Sequence, residues 1–164
     1  MQKDVHSAKR VDNRKLLAAL RAYRDGDFTT RLPSGAPGIE GEIAETFNEI
    51  VELTDRKKQE FQRLSHLVGK AGRIDLRASL PNAKGSWLVS VEAVNTLIAD
   101  MVHPISEIAR VIGAVAKGDL QQTMDLTIDG RAMRGDFLRL GKVVNSMVDQ
   151  LNSFASEVTR VARE

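Results

Sequence analysis

The chain has 164 residues, 42% of them hydrophobic but only 4% aromatic, and carries a formal net charge of +2 with 28% charged residues. A core short of aromatics and rich in Leu, Ile, Val and Ala is characteristic of helical proteins. Both charge signs are interspersed, and the densest basic run, "DRKKQE" (55–60), is interrupted by acids, which argues against a nucleic-acid partner.

In chain order, Leu16, Leu20 and Tyr23 supply a short opening helix closed by Gly26. Phe28, Thr30 and Leu32 then alternate with polar neighbours, the period of an extended chain with one buried face. After the loop residues "PSGAPG" an apolar seam runs Ile43, Phe47, Ile50, Thr54, Lys57, Phe61, Leu64, Val68, Ala71, in steps of four and three. Gly72 closes it, and Ile74, Leu76, Ala78 and Leu80 alternate in turn. A second seam starts from Trp87 and runs Val91, Val94, Ile98, Met101, Ile105, Ile108, Ile112, Val115, passing Pro104 without losing count. Gly118, the alternating Met124, Leu126 and Ile128, and the loop "DGRAMRG" follow. A last seam runs Leu140, Val144, Met147, Leu151, Phe154, Val158, Val161.

Gly26, Gly72 and Gly118 are 46 residues apart, and a glycine suits the left-handed residue that ends a helix. Downstream of each lies an Asn motif: Asn48 in "FNEI", Asn95 in "VNTL", Asn145 in "VNSM". The chain therefore reads as three repeats of helix, extended connector and helix, over 11–56, 57–102 and 103–152, with 153–164 opening a following helix. Each extended run could be a β-strand, giving an α/β fold, but single short runs followed by loops fit segments docked between helices. Pro104 then marks a joint between repeats, where the backbone can bend while the seam keeps its phase.

A connector of fourteen or more residues spans about 45 Å when extended, enough to return along the first helix and make the second parallel to it. Four-three seams are narrow, and two such helices cannot hide both stripes. The fold expected is all-α: stacked parallel four-helix coiled-coil bundles formed by a homodimer.

"PISEIARVIGAVAKGDL" (104–120) and "GDFLRLGKVVNSMVDQL" (135–151) resemble HAMP domains, the signal-relay modules of sensor histidine kinases, adenylate cyclases, chemoreceptors and phosphatases. The pattern is a proline near the start of the first helix (Pro104), Gly-Asp-Leu at its end (from Gly118), and an acidic residue opening the second (Asp136). An apolar-Asn-x-Met motif (Val144, Asn145, Met147) completes it. The first two repeats depart from it: neither has the proline, and Ile39 and Ser86 stand where Asp136 does. More narrowly, "VIGAVAKGDL" and "MVDQLNSFASEVTRVARE" resemble the long arrays of soluble or membrane-lacking hybrid histidine kinases. The resemblance implies a non-catalytic relay attached to a histidine kinase, switching between two packings of similar free energy. A static dimerising spacer and a small-ligand sensor are the alternatives.

No catalytic constellation competes. His6, His66 and His103 are followed by Ser7, Leu67 and Pro104 rather than by the acidic residue of a phospho-accepting histidine, and no cluster has metal-ligand spacing. No cofactor is expected. "GAPGIEG" (35–41) lacks the context of a phosphate loop. Trp87 and Tyr23 could line a ligand pocket or fill the core. Thr54 and Lys57 interrupt their seam as a specificity device, a weak joint or a solvent-exposed junction. Ala109, Gly113, Ala114 and Gly141, beside the seams, would leave room for repacking. Ile108, Ile112, Leu140, Val144 and Met147 are the seam positions expected to matter most for signalling.

The absence of cysteine excludes disulfides and thiolate metal sites and fits a reducing compartment. No uninterrupted apolar stretch approaches the roughly 18 residues of a membrane span, and "MQKDVHSAKR" lacks the apolar centre of a signal peptide. A cytoplasmic location without a membrane span is the expectation.

Overall fold

The computed structural model describes residues 12–128 and 130–163. Among the described residues four helices, α1 (Asn13–Arg24), α2 (Ile39–Leu64), α3 (Ser86–Val115) and α4 (Gly135–Val161), carry nearly all the regular structure, and the fold is all-α. A π turn, Ser65–Lys70, continues α2. Among the described residues the strands are β1 (Thr127–Ile128) and β2 (Arg131–Ala132), an antiparallel pair with Thr127 opposite Ala132. The chain divides into two compact units, Met1–Glu92 and Ala93–Glu164.

In the first unit, Asp12 caps α1 by accepting the Arg14 amide at 3.0 Å, which satisfies one of the free N–H groups of a helix start. Tyr23, near the end of α1, reaches Thr54 of α2 through a 2.9 Å hydrogen bond. Thr54 lies about 22 Å up α2 from its start, so the two helices run parallel; an antiparallel hairpin would bring the end of α1 to the beginning of α2. The core between them is Ala19, Leu32, Ala44, Phe47 and Val51, with Leu16, Tyr23 and Phe28 packed on it. Tyr23 sets its ring at 5.4 Å from Phe28 and 6.3 Å, edge-on, from Phe47, a geometry that suits the ring quadrupoles.

The second unit repeats the plan. Val111, near the end of α3, shares a core with Val148, well up α4, and with Met124 and Met133. Ile108, Val115, Leu126, Ile128, Phe137, Leu138 and Val144 pack against it.

The connectors follow the expected period of two except at Ile74, which lies exposed in a turn. Leu32, Ala78, Leu80 and Met124 are buried, while Arg31, Arg77, Ser79 and Asp125 between them are exposed. Among the described residues they have no sheet partners, apart from the third. There the chain turns at Gly130 (φ 73°) and comes back, with the Met133 amide donating to Leu126 at 2.8 Å. The loop read from "DGRAMRG" is thus in part a hairpin. Asp-Gly between apolar residues is the sequence signal for that turn, and Asp129 itself lies outside the described residues, as does His6.

α3 runs unbroken through Pro104, which is fully buried. Proline removes one helix bond, the one to the carbonyl four residues back, and the thirty-residue helix keeps the rest. By length and composition α3 is long and apolar enough to cross a membrane, although no uninterrupted apolar run in it is that long. Isolated charges such as Glu92, Asp100 and Glu107 break the runs.

At the start of α2 a Cβ on Gly41 would lie 1.8 Å from the Ala36 carbonyl oxygen. That neighbour is backbone and cannot swing aside. Gly41→Ala is expected to destabilise the first unit by about 1–3 kcal/mol or more, read as a lower midpoint in urea denaturation with α1 and α2 melting together.

Candidate functional site

The three recurrent glycines close their helices with left-handed backbone: φ is 90° at Gly26, 69° at Gly72 and 82° at Gly118. A side chain is strained there. Six residues beyond each, Leu32, Ala78 and Met124 are buried at 5%, 7% and 3% exposure.

The Asn motif acts on these same positions. Asn48 Oδ1 accepts the Leu32 amide at 2.8 Å, and its Nδ2 donates to the Leu32 carbonyl at 2.9 Å and to Ser34 Oγ at 3.3 Å. Asn145 does the same for Met124, at 2.7 and 3.0 Å. One carboxamide thus satisfies both polar groups of a buried connector residue, as a neighbouring strand would. Only an amide offers one acceptor and a donor in that geometry. Asn95 occupies the corresponding place in the second motif and also has an interaction partner.

A second set of anchors has no counterpart among the residues expected to matter. Arg63, held by Glu60 at 2.8 Å, donates to the Arg77 carbonyl at 3.1 Å. Glu60 also accepts the Ser79 amide at 2.7 Å. Arg110, held by Glu107 at 2.8 Å, donates to the Thr123 carbonyl at 2.9 Å. In each case a glutamate three residues ahead of an arginine aims the guanidinium at the connector. The Glu60 and Glu107 carboxyls are held below their ordinary range chiefly by these arginine hydrogen bonds. An i,i+3 Glu–Arg pair reads as ordinary helix-surface decoration, so the signal could have been found only by noticing that it recurs. Arg31 and Arg77 curl back on their own connectors, each donating to two carbonyls.

The remaining expected positions divide by exposure. Asp136 stands in the first turn of α4, exposed and paired with Arg139 at 3.0 Å, where its charge favours the helix dipole. In α2, Glu40 and Glu42 occupy the first turn, which Ile39 opens. Ile108 and Val144 pack on the core, whereas Ile112, Leu140 and Met147 present 50%, 45% and 38% of their surface. Trp87 is half-buried with Lys57 Nζ at 4.7 Å above its ring, a cation–π contact. Thr54 is buried and bonded to both Tyr23 and the Ile50 carbonyl, so it is a satisfied core hydroxyl and not solvent-exposed. Gly141 does not provide spare room either: a Cβ there would meet Leu126 at 2.5 Å. Gly113 does face open space. His66 and His103 are exposed, and no group of three His, Asp or Glu side chains among the described residues could hold a metal.

A surface cavity of about 660 Å³ is lined by Asp100, Ile128, Arg131, Met133, Arg134 and Phe137. Its nearest charged pair, Asp100 and Arg131, is 3.9 Å apart and exposed.

In both units parallel helices are joined by an extended connector. The family model of the HAMP domain matches residues 82–153, and this segment is a HAMP domain. HAMP domains are non-catalytic modules that relay signals within signalling proteins.

Asn145→Ala leaves the buried Met124 N–H and C=O without partners, and the expected cost is about 1–3 kcal/mol, read by thermal or urea unfolding of the second unit. Asp27 gives a pH signature. Hydrogen bonds from the Thr29 hydroxyl and amide, and from Thr30, lower its pKa from 3.8 to about 2. A depressed carboxylate contributes stability that is complete above its unfolded pKa and is lost as pH falls through the folded one. Between about pH 4 and pH 2 the unfolding midpoint should therefore drop, and the drop should be smaller in Asp27→Asn.

Proposed function

We propose that the chain is a tandem HAMP array of three repeats, acting as a parallel homodimer that passes conformational changes to an attached histidine kinase in the cytoplasm. The observation that carries this reading is the stripe of large apolar side chains left uncovered at seam spacing. Met101, Ile105 and Ile112 on α3, and Leu140, Leu151 and Phe154 on α4, are all exposed, Phe154 by 69%. A stripe recurring every three or four residues is the surface a coiled-coil partner covers, and a second copy offers the matching one. Its burial then couples stability to association.

The tandem reading is supported by the recurrence of the same local structure outside residues 82–153. The left-handed glycine, the buried residue six places on and the Asn carboxamide that grips it are all present in the first repeat. A static spacer would need none of these, since a plain coiled coil makes the seam alone. An exposed apolar stripe of this kind also accounts for the apolar composition of α3 without a bilayer.

The cysteine-free chain gives a direct test. Ile105→Cys and Ile112→Cys stand about 10 Å apart along α3. In a parallel dimer each should form a disulfide with its own counterpart under mild oxidation, while Ala109→Cys on the flank should not. Sedimentation of the unmodified chain as a stable monomer, or equal linking at all three positions, overturns the proposal.

A further inference from the structure

The first helices of the three repeats do not have the same number of residues between core and closing glycine. Leu16, Ala19 and Tyr23, all in the core, lie ten, seven and three residues before Gly26. Ile108, Val111 and Val115 lie ten, seven and three before Gly118. In the middle repeat the buried Leu64 lies eight before Gly72, with the half-buried Phe61 and Val68 at eleven and four. Two further landmarks agree. Arg63 is nine residues before its glycine and Arg110 eight, yet both bond the carbonyl five residues past it. Beyond the glycines the count is restored, since Leu32, Ala78 and Met124 are buried at the same place. One surplus residue therefore sits between Val68 and Gly72, in "VGKAG" against "YRDG" and "VAKG".

The backbone shows where it is stored. After the first and third glycines the next amide bonds five residues back, Asp27 to Ala22 and Asp119 to Ala114, at 2.9 and 3.0 Å. After Gly72 the Arg73 amide reaches six back, to Leu67 at 2.9 Å, and Ala71 bonds His66 at 3.0 Å. The surplus is taken up by the π turn Ser65–Lys70, whose wider loop of backbone holds one more residue per turn. None of its residues is fully buried, Leu67 and Val68 being only half-buried, so little core contact fixes it in this form, and segments with little apolar burial open most easily.

We propose that this π turn is a register switch. The surplus residue is either held in the turn, as here, or passed into the segment around Gly72, letting the helix end in an ordinary α turn. The exchange turns the end of the helix by one residue, about 100°, while Leu64 on one side and Ala78 on the other stay in place. It deepens the relay reading by locating a two-state element in the middle repeat, and its test is separate from that of the dimer.

Relaxation-dispersion NMR on the intact chain reads such exchange directly. Amides of residues 65–73 are expected to show microsecond-to-millisecond exchange that the closing turns before Gly26 and Gly118 lack. Deleting the exposed Lys70 removes the surplus; the dispersion should vanish and hydrogen exchange at 66–73 should slow about tenfold or more. Gly69→Ala, where a Cβ meets open space, keeps the count and should keep the dispersion, which guards against reading a general stiffening as loss of the switch. Flat dispersion in the unaltered chain, or faster hydrogen exchange in the Lys70 deletion, overturns the proposal whether or not the chain is a dimer.

Discussion

Both units depend on holding an extended piece of chain in the groove between two parallel helices. An extended segment has a row of amides and carbonyls, and a groove lined by apolar side chains offers them nothing. Sheets solve that problem with a neighbouring strand. Here an asparagine carboxamide takes the strand's place at the most deeply buried connector residue, and arginine side chains cover carbonyls just before it. The left-handed glycine upstream sets the chain's direction out of the helix, and the buried side chain six residues on fixes its depth.

The same constraint explains why the helices run parallel. A connector that traverses the full groove delivers the chain back to the level where the first helix began. It also occupies one side of each helix, so the apolar stripe on the other side stays uncovered. Connector packing and exposed seam are two results of one arrangement.

Much of this was legible in the sequence because it is written in spacing. The 46-residue interval of the glycines survives in the structure, as do the period of two in the connectors beyond Ile74 and the four-three steps of the seams outside the π turn. The asparagines stood out by recurrence, although recurrence alone did not say what they bond. Contacts that depend on two distant residues were less visible. Thr54 looked like a flaw in its seam until Tyr23 supplied a partner, and Met133 looked like loop until the chain doubled back at Gly130. Gly141 looked like spare volume, and Leu126 fills it. The surplus residue before Gly72 was hidden by the seam itself: Val68 to Ala71 is a regular step of three, yet Ala71 is exposed. Periodicity assumes a constant 3.6 residues per turn, and a π turn breaks that assumption without changing a letter of the pattern.

Pro104 has a consequence beyond its tolerance by the helix. With no N–H at that residue, the Asp100 carbonyl accepts no rung from it, so the ladder of α3 has one missing bond. Arg131, at the edge of the hairpin, lies 3.9 Å from the side chain of that aspartate. A helix with a gap in its ladder bends there at lower cost than anywhere else along its length. Any strain applied along α3 will therefore gather at this one peptide.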